Sequence, residues 1–129
     1  MECPFCARLG TTSPGLPSNV YATALEDAFP VNPGHALIVP RRHAEDLFTL
    51  TKDEHRALWE LVPAVKAFIE ERHQPDAYTI GLNAGAAAGQ TVPHVHLHVI
   101  PRYKGDVADP RGGVRLVVPA RARYWEGRA

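Results

Sequence analysis

The period of the apolar positions changes along the chain, and each change marks an element. Residues 20–25 (VYATAL) read as a strand, Pro30, Pro33 and Gly34 force a turn, and residues 36–39 (ALIV) read as its antiparallel partner. Thr51 followed by Glu54 has the spacing of a capping box, a hydroxyl at the N-cap and an acid three residues on. Beyond it Leu58, Leu61, Val62, Val65, Phe68 and Ile69 recur at helical spacing, predicting one long helix over 52–72 with an apolar face for a sheet. Pro63 lies inside that pattern without an amide proton, so a kink or break is expected there. Further strands are expected at 78–83, at 92–100 and, shortest, at 114–118, with a small-residue loop at 85–89. The fold class that follows is α+β, a mostly antiparallel five-stranded sheet with one long helix packed on it.

Within the fourth strand, His94, Val95, His96, Leu97, His98, Val99 and Ile100 alternate imidazole and aliphatic side chains. On a strand, His94, His96 and His98 share one face and Val95, Leu97 and Val99 the other. The apolar face fixes the register of the polar one. A metal held by these three alone is disfavoured, because residues i and i+4 of a strand lie about 13 Å apart. Zinc holds imidazole nitrogens at about 2.0–2.1 Å, so two neighbours could chelate it but hardly all three. Such a row suits a long anionic ligand such as a polyphosphate.

Composition narrows the classes. The 129 residues read as a single domain, with an N-terminal segment 1–17, a core 18–103 and an extension 104–129. An apolar content of 45% and a charged content of 22% fit an ordinary soluble protein. Lys plus Arg equal Asp plus Glu at 14 each, which gives no electrostatic reason to expect nucleic acid or membrane as partner. From Arg102 onward basic residues outnumber acidic ones, which fits either an anionic ligand or a solvated basic face. No run is long and apolar enough to span a bilayer and no leader is evident, so a cytoplasmic location is expected. Cys3 and Cys6 alone exclude a secreted disulfide framework; the pair reads as a redox couple, half of a zinc site, or neither.

These residues together resemble the histidine triad (HIT) superfamily of nucleotide hydrolases and transferases. The resemblance rests on His94 to Ile100, on the segment from Asp27 through His35 to Pro40-Arg41-Arg42-His43, and on Asn83 and Gly89-Gln90-Thr91. It implies a HIT-like fold and a catalytic set of His96, His98, His35 and His94. In that set His96 attacks a nucleotide α-phosphate, the His94 carbonyl fixes its tautomer, and His35 and His98 contact the phosphates. It implies that Gln90 and Thr91, with the loop amides at Gly89, hold phosphate and leaving group, that Asn83 lines the pocket and that Asp27 accepts from the ribose. Phe5, Leu25 and Ala28 would form the base slot. Gly89-Gln90-Thr91 and Pro101-Arg102 resemble the fragile-histidine-triad branch, which makes diadenosine tetraphosphate a natural substrate; nucleoside phosphoramidates fit the core motif equally. A uridylyltransferase-like role is disfavoured, because that branch has glutamine where His98 stands. Bacterial relatives with this cysteine pair imply structural zinc on Cys3, Cys6, His43 and His94, and relatives imply a homodimer, with Trp125 either reaching the partner's pocket or covering the core. The rival expectation is a nucleotide-binding, zinc-stabilised interaction protein with vestigial hydrolysis.

Overall fold

The structure, a computed structural model, describes residues 3–9 and 15–127; Pro14 of the expected N-terminal loop lies outside them. Four strands form one antiparallel sheet in the order β1-β2-β4-β3: β1 (Ala22–Glu26), β2 (Ala36–Pro40), β3 (Ala77–Gly81) and β4 (Leu97–Arg102). Helices α2 (Lys52–Glu60) and α3 (Val62–His73) lie on one face, and a short α1 (Pro4–Arg8) sits by the other.

Alternation assigns the faces. Ala22, Ala24, Ala36, Ile38, Leu97 and Val99 point to the helices, where they bury Leu58, Leu61, Val65 and Ile69. Small residues on β1 let the helices approach closely, and each large aliphatic buried there contributes about 1.5–3 kcal/mol. The opposite face is built in rows by the antiparallel register. Leu25, Leu37, His98 and Gly81 lie side by side across the four strands. One row back, Thr23 pairs with Val39, and the same register extended places His96 beside Asn83. One row forward, Ile100 pairs with Thr79 next to His35.

Two expectations are corrected and one is met. Among the described residues the sheet has four strands, because 114–118 forms a 3-10 helix (Gly113–Val117) instead of a strand. Gly112 and Gly113 turn the chain with φ of +86° and +36°, and the Arg115 amide closes onto the Gly112 carbonyl, so no strand pairing is available. The break expected at Pro63 is present: the helical run divides at Leu61 into α2 and α3, with Pro63 near the start of α3 where its missing amide proton costs nothing. The histidine strand begins only at Leu97. Pro93 has no amide to donate, and the Val95 amide bonds the Ala44 carbonyl beyond the end of β2. The alternation nevertheless persists through residues 94–98, with Val95 in the helix-side core.

Capping fixes α2. The Thr51 hydroxyl accepts the Glu54 amide at 3.1 Å, and the Glu54 carboxylate accepts the Thr51 amide at 2.9 Å. Glu54 is 4% exposed and also takes both arms of Arg42, at 2.9 and 2.8 Å. That pair ties the helix start to the chain just before His43.

Candidate active site

His96 is the centre of the site. Its Nδ1 lies 2.8 Å from the His94 carbonyl oxygen, so Nδ1 carries the proton and donates. That leaves Nε2 with its lone pair open to a cavity of about 340 Å³. Phe5 packs against the ring edge-on at 5.0 Å between centroids, and His98 does so at 5.1 Å. The cavity is lined by Phe5, Asp27, Ala28, Asn83, Gly89, Thr91, His96 and His98 among the residues expected. It is also lined by Pro4, Arg8, Phe29, Leu37 and Val92, which sequence reasoning did not single out. Leu37 comes to the wall through the β2–β4 register, which sets it across from His98; α1, which supplies Pro4 and Arg8, had no periodic signal.

A chain of hydrogen bonds sets the state of His98. The Val31 amide donates to His35 Nδ1 at 3.1 Å, which forces the His35 proton onto Nε2. That nitrogen lies 2.9 Å from His98 Nδ1 and donates to it, so His98 carries its own proton on Nε2. Burial, and next the neighbouring His96 and His35, lower the His98 pKa to about 4; Asp27 opposes this. Burial also lowers that of His35, again against Asp27. Asp27 Oδ2, 3.3 Å from His35 Nε2, therefore faces a neutral ring, and the contact is not an ion pair. Asp27, His35 and His98 lie close enough to hold a cation. Their facing lone pairs already accept protons from the Val31 amide and from His35, which makes the cluster a hydrogen-bond relay.

Several expected residues stand elsewhere. His35, 4% exposed, is behind His98 and does not line the cavity, so its route to a phosphate runs through His98. Leu25 is 1% exposed and supports the wall from beneath, next to Phe5, Leu37 and Val39. Gln90 turns inward, donating to the Glu45 and Val92 carbonyls and accepting the Gly85 amide. It braces the loop, while Gly89, with φ of +96°, brings backbone to the cavity wall in a conformation other residues rarely hold.

His94 presents its carbonyl to His96 and its ring to a different cluster. Its Nε2 donates to the Pro40 carbonyl at 2.8 Å, which leaves Nδ1 a bare lone pair 3.4 Å from Cys3 Sγ and 3.5 Å from Cys6 Sγ. His43 Nδ1 lies 3.2 Å from Cys6 Sγ, and all four ligand atoms fall within 4.8 Å of one another. Two thiols and two imidazoles, one oriented by a carbonyl behind it, fit a tetrahedral zinc ion in donor type and spacing.

With this geometry in view, comparison with known proteins is decisive. The HIT domain model matches residues 17–105. The chain belongs to the HIT family. It is 42% identical over 83 residues to a bis(5'-adenosyl)-triphosphatase of Dictyostelium discoideum, covering 64% of this chain and 56% of that one. It is 43% identical over 93 residues to an asymmetrical bis(5'-nucleosyl)-tetraphosphatase of Schizosaccharomyces pombe, covering 69% and 51%. The chain thus spans about half the length of these two relatives. A crystal structure of a HIT family protein from Bacillus anthracis superposes with a TM-score of 0.72 at 33% identity, covering 81% of this chain and 76% of that one. The α+β HIT fold is therefore established. No helix among the described residues of this HIT protein is long and apolar enough to cross a membrane.

Proposed function

We propose that this HIT protein is a nucleotidyl hydrolase working through a covalent nucleotidyl-histidine at His96. The observation that carries the reading is the 2.8 Å bond from His96 Nδ1 to the His94 carbonyl, which leaves Nε2 as the nitrogen that faces the cavity and can attack. Nε2 attacks the α-phosphorus as the bond from phosphorus to the leaving oxygen breaks, and the electron pair departs with that oxygen. The ring, now bonded at Nε2 and protonated at Nδ1, is stabilised by the carbonyl. His98 donates from Nε2 to the phosphoryl oxygens, and the loop at Gly89 and Thr91 flanks them. Water then displaces His96, releasing a nucleoside monophosphate and a proton. Asp27 accepts from the ribose hydroxyls, and Phe5, Ala28 and Phe29 clasp the base.

Dinucleoside polyphosphates are the substrate class supported by the two hydrolase relatives; nucleoside phosphoramidates share the same α-phosphate. His96→Ala should abolish turnover, by about a thousandfold or more, while a non-hydrolysable dinucleotide still binds. Undiminished turnover would refute the reading.

Zinc on Cys3, Cys6, His43 and His94 belongs to the same proposal, as a structural ion that clips α1, and with it Phe5, to the sheet. Free thiol ligands agree with a reducing, cytoplasmic setting. A homodimer is also proposed, with the edge of β3, unpaired among the described residues, as a surface for it.

A further inference from the structure

The catalytic cavity does not use all of the sheet face that carries His98. Along β4 the residues on that face, His98, Ile100 and Arg102, all remain half-exposed, while those between them are buried. Beside His98 in the register stands Gly81. A Cβ built there meets nothing within 4 Å, and its backbone lies outside the left-handed region, so a side chain could be accommodated but is missing. One row on, Ile100 and Thr79 form the floor of a second cavity of about 280 Å³. Its walls are Val31, Val107 and Leu116, exposed by 66%, 44% and 42%.

The polar groups around this second cavity satisfy one another. Arg102 grips Asp106 with two bonds of 2.7 and 2.9 Å and donates to Thr79 Oγ1 at 3.1 Å. Asn32 donates to Asp106 at 2.8 Å. The slot is therefore apolar, with a neutralised rim, and suits a flat uncharged group more than another phosphate.

Direction connects the two cavities. Displacement at phosphorus runs in line, so the leaving oxygen lies opposite the attacking nitrogen. His96 stands one row behind His98 and the second cavity one row ahead. A phosphate held beside His98 thus sends its leaving group over the bare backbone of Gly81 toward Thr79 and Ile100. Strand rise makes the step from His98 to Ile100 about 7 Å, within reach of a short polyphosphate bridge. Resting on the hydrolase reading above, we infer that the second cavity receives the far nucleoside of a dinucleoside polyphosphate, and that Gly81 is the specificity-determining gap over which the bridge passes.

Two substrates separate this inference from the reading beneath it. Diadenosine tetraphosphate carries a nucleoside on its leaving group; adenosine 5'-phosphoramidate loses only ammonia. Leu116→Asp puts a carboxylate in the slot far from His96, and Gly81→Val fills the gap. Each should lower the ratio of kcat/KM for the dinucleotide to that for the phosphoramidate about tenfold or more. Leu116→Asp should leave phosphoramidate turnover within about twofold of wild type. An unchanged ratio in Leu116→Asp, or a change in oligomeric state without a change in ratio, overturns the subsite while the hydrolase stands. A wild-type protein that turns over neither substrate overturns both.

Discussion

The neutrality of His98 follows first from its own burial and then from the neighbouring His96 and His35, and it has a measurable consequence. A histidine with a folded pKa of about 4 takes up its proton more readily when unfolded. Between the ordinary value near 6.5 and 4 the unfolded chain binds more protons, so stability falls as pH is lowered through that window. His98→Gln should flatten the slope of unfolding free energy against pH by up to one proton, about 1.4 kcal/mol per pH unit, in urea titrations from pH 7 to pH 5. An identical slope in the variant would show that His98 is not held neutral. At this scale the sequence was informative where one residue's chemistry is local and uninformative where it depends on packing. His94-x-His96-x-His98 placed three rings on one side, and the structure keeps them there. Nothing in the spelling of His35 shows that the Val31 amide fixes its tautomer, because that bond depends on how the turn at 30–34 closes.

The turn and helix boundaries carry the site's alignment. Gly34 has φ of +93°, and a Cβ there would lie 2.9 Å from His73 and 3.2 Å from Ile69. Gly34→Ala should therefore destabilise the fold by about 1–3 kcal/mol and lower turnover with it, since His35 follows directly. Denaturation and activity measured on the same sample would check this; a neutral effect on both would contradict it. The start of α2 is equally specific. Glu54→Gln leaves the cap shape but removes the charge facing Arg42, whose side chain is 52% exposed, with an expected loss of about 1–2 kcal/mol in chemical denaturation. A loss no larger than that of an exposed pair would show that burial adds nothing. The capping box was readable because its two residues are three apart; the Arg42 partnership was not, because it joins different elements. The Pro63 break was readable for the same local reason, whereas the hydrophobic run at 114–118 misled. Apolar residues that stay exposed on a 3-10 turn have the same composition as a buried strand.

Across the whole molecule, two groups tie segments around the cavity to the sheet, the first through the zinc proposed above. The first is the cluster of Cys3, Cys6, His43 and His94. Protein purified without added metal should contain about one zinc per chain by elemental analysis, and a strong chelator should lower the melting temperature by about 10 °C or more. Absence of metal in a normally stable protein would remove this tie. The second is Asp106, which ties the turn at Asn32 to Arg102 at the end of β4. Beyond it the basic extension is largely self-contained. Arg111 covers the Trp125 ring, Arg115 the Tyr124 ring, and Arg123 pairs with Asp109. Trp125 packs within its own chain, against Gly112. A net charge of zero gave no hint of this internal use. The nucleophile proposed above, His96, is tested most directly by trapping. Wild-type protein mixed with excess dinucleotide and quenched under alkaline conditions should carry one nucleoside monophosphate per chain by intact mass, mapping to the peptide that contains His96. His96→Ala should carry none; the same adduct on that variant, or wild-type turnover with the label on another residue, would contradict the account.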